Sequence, residues 1–485
     1  MTTPRKALLR RLETLEAHLK AEHPTLLPVV PTFRRFDKVL YRMGLLPRDQ
    51  SLATRIPWWP MISVLGIFSA GKSSFINRYL GVPLQSSGNQ AVDDKFTVIC
   101  YGSDDRVDAL PGTALNADPR FPFYRISDEI EKVAAGEGKR IDSYLQLKTC
   151  TSPKVKGKII IDSPGFDADD QRRSILRLTD HIIDLSDLVL IFFDARRPEP
   201  GAMHDTLGHL VAKSVPRADS RKFIYILNQI DSTAKEDNPE AVVGAWQRAI
   251  AQAGLVSGKF YGIYNKELAA PFENEAQRAR YEAKCDADLA EIEGRMAEVE
   301  IGRGYRIVGM VETLVNELEG EVVPFVRDAV LKWRRQVMTG DVIGLGVLAA
   351  LLVALVFAAG FEATGAFLSW ATGTPENLLA VLAGLVVAAG GAHFWLRGFL
   401  ARRIAKTLPE RFGQMELDTR GAFLTNTTFF RSLFGATPAG WGRGAKKQVF
   451  AIRESAAKHI QMLNDLYTDP TGKKVKTVEK EPAKA

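Results

Sequence analysis

Gly66-Ile67-Phe68-Ser69-Ala70-Gly71-Lys72-Ser73 is the stretch on which the reading of this chain turns. It fits the pattern of a glycine, four residues, Gly-Lys and then Ser or Thr. Residues 61–67 are apolar and read as a buried strand, and residues 73–80 read as a helix. The glycines let backbone N–H groups turn inward around phosphates, and the helix N-terminus adds the positive end of its dipole. Lys72 would reach the β- and γ-phosphates, and the Ser73 hydroxyl would sit on Mg2+. A chance match in an ordinary strand–turn–helix is the weaker reading, because strand, loop and helix all fall where the motif needs them.

Two further stretches extend the site. Residues 158–161 form a short apolar strand that ends in Asp162-Ser163-Pro164-Gly165. An aspartate at the C-terminal end of a strand holds Mg2+ through water, and the Gly165 N–H would sense the γ-phosphate. Such a loop orders with triphosphate and relaxes after hydrolysis. Residues 222–227 read as another strand, followed by Asn228-Gln229-Ile230-Asp231. The Asp231 carboxylate would accept both donors on the Watson–Crick edge of guanine, a pair that adenine lacks. Gln229 stands where this motif usually has lysine, so the alkyl stack on the base is altered. A weaker element, Gly262-Ile263-Tyr264-Asn265-Lys266, either closes the base pocket through Asn265 and Lys266 or is a surface turn.

Two uncharged runs stand apart from all this. Residues 342–361 hold no charged side chain, and residues 378–396 hold only His393 as an ionisable group. A bilayer span needs about 20 mostly apolar residues. Lys332, Arg334 and Arg335 precede the first run, and Arg397, Arg402, Arg403 and Lys406 follow the second. The intervening residues 362–377 read as a loop with no Lys or Arg. Basic residues stay on the cytoplasmic side, so the nucleotide domain and both termini are expected in the cytoplasm. The alternative is a buried helical hairpin of a soluble domain. Gly346, Ala350, Ala354 and Ala358 repeat every fourth residue, as do Ala380, Gly384, Ala388 and Ala392. Stripes of this kind suit close helix packing, within the hairpin or in a dimer.

Composition agrees with a membrane-associated protein. The chain has 485 residues and a formal net charge of +7, with the excess beside the apolar runs and in the tail at 473–484. That placement favours anionic lipid over nucleic acid, and no basic patch interleaved with aromatics suggests nucleic-acid binding. Cys100, Cys150 and Cys285 share no metal-ligand spacing and fit a reducing compartment. No secretory apolar core opens the chain, so the hairpin is the expected insertion signal. The alanine- and arginine-rich composition fits a bacterial inner membrane.

Ser69-Ala70-Gly71-Lys72-Ser73-Ser74 closely resembles the phosphate loop of the dynamin superfamily of membrane-remodelling GTPases. The context at 66–80, 161–165 and 190–194 also resembles the EHD branch, whose members use ATP. The resemblance covers roughly residues 58–268, and the order of nucleotide domain, helices, hairpin and helical tail is similar to mitofusin-like proteins. It implies GTP and Mg2+ as ligands. It also implies that Gly66, Ser69, Ala70, Gly71, Lys72, Ser73 and Ser74 hold phosphate, and that Ser69 positions the catalytic machinery with a monovalent cation such as K+. The family places a threonine in its first switch, where this chain has Asp93, Asp94 and Lys95. Either Thr97 is recruited from the adjoining strand by a shifted loop, or that contact is missing.

The expected fold is an α/β P-loop NTPase domain, a mostly parallel sheet flanked by helices, plus a helical stalk and a two-helix transmembrane hairpin. Its segments are a helical N-terminus (1–57), the nucleotide domain (58–270), a stalk (271–340) and the hairpin (341–397). A C-terminal helical segment (398–467) and a disordered basic tail (468–485) follow. Within them, Thr3 would cap a first helix with Leu8, Leu12, Leu15 and Leu19 on one face, and residues 28–60 read as a linker. Residues 274–299 and 305–335 read as two long helices, and 399–423 and 445–467 as two more. The resemblance implies self-association through the nucleotide domain and helical regions, and action on a lipid bilayer by tethering, fusion, fission or curvature. A membrane-anchored switch that recruits a protein partner without mechanical work is the other class of function this layout allows.

Overall fold

The computed structural model describes residues 4–67, 69–86, 95–103, 109–121, 141–165, 172–196, 222–234, 239–252, 259–413, 415–429, 431–433, 435 and 437–467. Thr3, Phe68, Asp93, Asp94 and the basic tail lie outside these. In chain order the principal elements are α1 (Pro4–Glu22), α2 (Val30–Met43), β1 (Met61–Gly66), α3 (Lys72–Leu80), β2 (Phe96–Tyr101), β3 (Ala109–Pro111), β4 (Leu145–Cys150) and β5 (Ile159–Asp162). Then come α4 (Arg172–Leu185), β6 (Leu188–Asp194), β7 (Phe223–Asn228), α5 (Pro239–Gln252), β8 (Phe260–Ile263) and α6 (Glu275–Glu317). The chain continues through α7 (Val323–Ala359), α8 (Phe361–Gly373), α9 (Pro375–Ala405), α10 (Thr419–Asn426) and α11 (Arg443–Tyr467). Residues 10–27 and 54–307 form one compact unit, and residues 1–9, 28–53 and 308–485 the other.

The first unit is built on an eight-stranded sheet in the order β3-β4-β2-β5-β1-β6-β7-β8. Pairing is parallel except between β2 and β5 and between β3 and β4. β1 and β6 are buried along their whole length, as continuous apolar runs in the middle of a covered sheet must be. Ser63 sits in that dry centre because its hydroxyl shares a 2.5 Å hydrogen bond with Ser186. An aromatic cluster of Phe193, Tyr225, Trp246 and Phe260 packs beyond β6. The three cysteines are free and buried.

Helix α6 runs unbroken from Glu275 to Glu317, where the sequence reading places a break between residues 299 and 305. Gly302 and Gly304 each cost a helix interior about 1 kcal/mol. Arg303 between them is 8% exposed and donates to the Pro57 carbonyl (2.7 Å) and to Asp187 (2.9 Å). The discontinuity comes instead at Leu318–Val322, a π-type turn immediately before Pro324 on α7.

In the second unit the segment read as a linker carries α2. Val30, Phe33, Phe36, Val39, Leu40 and Met43 recur at helical spacing and are buried, and α2 packs on α11. Residues 399–423 are likewise not one helix: α9 ends at Ala405, a short turn follows around Pro409 and Gly413, and α10 starts at an Asp418 cap. The described residues of the connection read as a loop (362–377) instead form α8, set off from α7 by Gly360 and from α9 by Thr374-Pro375.

Among the described residues two helices are long and apolar enough to cross a membrane, and neither apolar window is buried. The small-residue stripes do not meet within the chain. A side chain built at Gly346 or Gly384 would touch nothing within 4 Å. The close approach of α7 and α9 lies lower, where a Cβ on Gly340 would come within 2.7 Å of Leu396.

Asp187 accepts from Arg303, Arg306 and the Met61 N–H, and it is buried while Arg306 is half exposed. Asp187→Ala leaves the Arg303 charge buried without a partner, so a loss of about 3–5 kcal/mol is expected in urea unfolding followed by nucleotide-domain tryptophan fluorescence. Arg306→Ala, at the exposed end of the same cluster, should cost no more than about 1 kcal/mol.

Candidate functional site

The loop after β1 is shaped by backbone conformations that most residues avoid. Ser69 has φ 60°, Gly71 has φ 84° and Gly66 has φ 157°. A Cβ on Gly66 would lie 2.7 Å from the Phe192 carbonyl oxygen, and one on Gly71 would lie 2.1 Å from Asn228 Nδ2. These glycines let β1 lie against β6 and let the loop lie against the end of β7. A positive φ at Ser69 has no such excuse, and non-glycine strain of this kind collects at functional sites.

Lys72 opens α3 and is 7% exposed. Its ammonium donates to the carbonyls of Gly66 (2.9 Å) and Ile67 (3.0 Å), so the cation is held inside the loop's curve. Ser73 follows, half-buried, with Oγ 3.5 Å from Asp162 Oδ2 at the end of β5. A hydroxyl and a buried carboxylate at this separation are hard oxygen donors, and Mg2+ takes such ligands while keeping several of its waters. These residues therefore fit the ion, with Ser73 and Asp162 as its holders. Ser74 is exposed, Ala70 is buried, and Gly165 is half-buried after Pro164.

The base-reading stretch is tied directly to the phosphate loop. Asn228 Nδ2 donates to the Ala70 carbonyl at 2.8 Å, and Gln229 Nε2 donates to the Ser69 carbonyl at 3.0 Å. Gln229 has φ 64°, which turns the chain into the short helix Ile230–Thr233. Asp231 there is 9% exposed and accepts from the Ala270 N–H at 2.7 Å, which fixes the carboxylate's orientation. Asn265 and Lys266 are exposed at the end of β8: Asn265 caps its own turn through Glu267 N–H, and Lys266 pairs with Asp286.

Thr97 lies within β2, fully buried, in register with Asp162 on β5. Its hydroxyl accepts from Gln146 Nε2 at 2.8 Å. It is thus beside Asp162 along the sheet, with its side chain engaged by β4.

Several contributors are absent from the sequence reading. Gln85 donates to Asp162 Oδ2 at 2.7 Å, and Lys148 on β4 donates to Gln85 Oε1 at 2.7 Å and to the Leu84 carbonyl at 3.2 Å. Lys148 is 8% exposed, so its charge reaches Asp162 through one neutral amide in a dry setting. The available signal was a lysine in the middle of an otherwise strand-like run, Leu145-Gln146-Leu147-Lys148. Asp194 at the end of β6 is also fully buried and is gripped by Arg196 through both oxygens. The neighbouring Ala195 N–H donates to the Asn228 carbonyl at 2.9 Å.

Residues 62–230 match the profile of the dynamin family. EH domain-containing protein 1 of Homo sapiens is 26% identical over 148 residues, 28% of this chain and 25% of that protein. EH domain-containing protein 2 of Homo sapiens is 26% identical over 216 residues, 40% of this chain and 36% of that protein. The chain thus spans about a quarter to a third of the length of these curated relatives. Among solved structures, one described as an oligomerised bacterial dynamin pair that tethers membranes overlays with TM-score 0.34 at 15% identity, over 83% of this chain and 60% of that one. The LeoA bacterial dynamin GTPase from ETEC overlays with TM-score 0.31 at 13% identity, over 97% of this chain and 90% of that one. The chain carries a dynamin-superfamily nucleotide domain.

Three substitutions probe the site. Gly71→Ala forces a methyl into Asn228, so nucleotide binding measured by calorimetry should be lost while the sheet still folds. Gln85→Leu removes the amide between Lys148 and Asp162, and outer-shell losses of this kind weaken a metal site about 10-fold or more. The Mg2+ concentration giving half-maximal nucleotide binding should rise by that factor, with Lys148→Met adding little on top.

Proposed function

We propose that this protein is a membrane-anchored GTPase of the dynamin superfamily that binds and hydrolyses GTP to remodel a lipid bilayer. The observation that carries the nucleotide half is the joint formed by Asn228 and Gln229 on the carbonyls of Ala70 and Ser69. One rigid segment then meets both ends of the ligand. Lys72 would leave the Gly66 and Ile67 carbonyls for the β- and γ-phosphates, an exchange of dipoles for full negative charge that favours binding. Bound Mg2+ supplies charge neutralisation across the same phosphates. Asp231, oriented by Ala270, would read guanine. Ser69, with its positive φ, would position the transferring end. Thr97 keeps its place within β2, which supports slow rather than fast hydrolysis.

Exposure supports the membrane half. A hairpin buried in a soluble domain would cover its apolar helices, whereas Val342, Leu351, Leu355, Phe357, Leu379 and Val386 are each about half to three-quarters exposed. The one-sided basic flanks orient the nucleotide domain and both termini toward the cytoplasm, across a bacterial inner membrane. With α8 as the external link, a cysteine at Ser369 should react with an impermeant thiol reagent from outside, and one at Ser432 only after the membrane is opened. Reaction of both, or of neither, contradicts the topology.

ATP is the alternative fuel, favoured by Gln229 in place of lysine and by the EH domain-containing relatives. Titration with both triphosphates decides it. Asp231→Asn should weaken GTP and strengthen xanthosine triphosphate, whose extra carbonyl suits an amide donor. Tighter binding of ATP than GTP by the unaltered protein would overturn the guanine assignment.

A further inference from the structure

Next to the apolar runs, three arginines lie together with no carboxylate in direct contact among the described residues. Arg334 on α7 is 7% exposed; its Nη2 reaches the Ser432 carbonyl at 3.4 Å, and its Nε is buried with no hydrogen-bond partner. Arg397 on α9 is 7% exposed and donates to the carbonyls of Arg431 (2.8 Å) and Thr428 (3.2 Å). Arg431 donates to the Thr437 carbonyl at 3.2 Å. Among the described residues none of the three makes an ion pair. The carboxylate whose charge acts on Arg397 is Asp341, and its Oδ2 is held by His393 Nδ1 at 2.8 Å. Burial pushes both the Arg334 and Arg397 guanidinium groups below the ordinary arginine value, and the Arg431 charge pushes Arg334 further.

Carbonyl dipoles do not neutralise two buried guanidinium groups with a third, half-buried, beside them, and an unpaired buried charge is costly. Elsewhere such charges are paired: buried Arg303 has Asp187 and half-buried Arg120 has Asp118. Aromatic rings line the cluster. The Arg397 guanidinium lies over the rings of Trp333 (5.4 Å) and Phe394 (5.3 Å), and Phe394 stacks on Phe429 at 4.0 Å. Trp333 Nε1 donates to the Arg397 carbonyl at 3.2 Å, fixing α7 against α9 at this level.

Position names the occupant. Arg397 directly follows the second apolar run, and Arg334 lies about two helical turns before the first. If the runs span a bilayer, the cluster lies at headgroup depth, where Trp395 and Phe399 are also exposed. Guanidinium forks match phosphate oxygens in pairs, and a cytoplasmic leaflet is rich in anionic phospholipid. We infer that Arg334, Arg397 and Arg431 form a site for the phosphate headgroup of an anionic phospholipid, seated between α7, α9 and the segment after α10. The inference rests on the membrane reading above and adds a specific lipid contact to it.

The test uses the full-length protein in nanodiscs of phosphatidylcholine with or without phosphatidylglycerol, followed by native mass spectrometry of retained lipid. The unaltered protein should retain phosphatidylglycerol over phosphatidylcholine by about tenfold, the scale of one charge-assisted pair. Arg334→Gln combined with Arg431→Gln should bring that ratio near one, and Arg431→Lys should keep most of it. Nucleotide affinity reports that the variants are folded. Variants that stay carbonate-resistant yet keep the full preference overturn the lipid site alone. Displacement of the lipid by millimolar inorganic phosphate also overturns it, in favour of a free-anion site. If carbonate strips the unaltered protein from membranes, the membrane reading falls first, and the lipid site falls with it.

Discussion

The amide of Asn228 donates to the Ala70 carbonyl at 2.8 Å, across a gap that exists only because Gly71 has no side chain. This contact joins the end of β7 to the loop after β1. Gln229 repeats it one residue along, at the Ser69 carbonyl. The sheet order requires it, since β6 separates the two strands and only their C-terminal loops can meet. The loop after β1, with Lys72 and Ser73, and the turn that carries Asp231 are thereby joined through backbone and two amides. Ligands of open α/β sheets collect at the carboxyl ends of the strands for this reason.

What could be read in the sequence follows from the same physics. β1, β6 and β7 are interior strands, so they appear as unbroken apolar runs, and the loop motif demands glycine and lysine at set places. The sequence therefore marks where Lys72, Ser73, Asp162, Asn228 and Asp231 fall, at or after the C-terminal ends of β1, β5 and β7. Gln85 and Lys148 are not marked, because they meet Asp162 only through the register of β4, β2 and β5, with one antiparallel step. Register between distant strands leaves no local mark. The helical regions were misread where a local signal was outvoted by tertiary contact. Gly302 and Gly304 suggest a break, yet Arg303 secures the helix through Pro57 and Asp187. Residues 28–60 look like a proline-bounded linker, yet α2 carries an apolar stripe that needs a partner and finds α11. The small-residue stripes matched a packing rule, yet within the chain the close approach is at Gly340 and Leu396, which leaves the stripes for a dimer.

Charge placement separates the two kinds of work in the molecule. Asp187 with Arg303, and Asp194 with Arg196, are closed pairs that hold elements in place. Lys72 rests on the carbonyls of its own loop, and Arg334 and Arg397 rest on carbonyls after α10. A cation parked on dipoles can exchange them for an anion at little cost, whereas one in a tight carboxylate pair cannot. That distinction underlies both proposals: a triphosphate at Lys72 and a lipid phosphate at Arg334 and Arg397.

The claim at the centre of this account is that nucleotide turnover changes the shape of a bilayer. Electron cryomicroscopy of liposomes carrying the reconstituted full-length chain measures this directly, with GTP, without nucleotide, and with the Lys72→Ala variant plus GTP. The account predicts tubulated, constricted or joined vesicles with GTP and the unaltered protein, and spherical vesicles in the two controls. Vesicles that stay spherical while GTP is hydrolysed would contradict it, and would leave a membrane-anchored switch that recruits a partner.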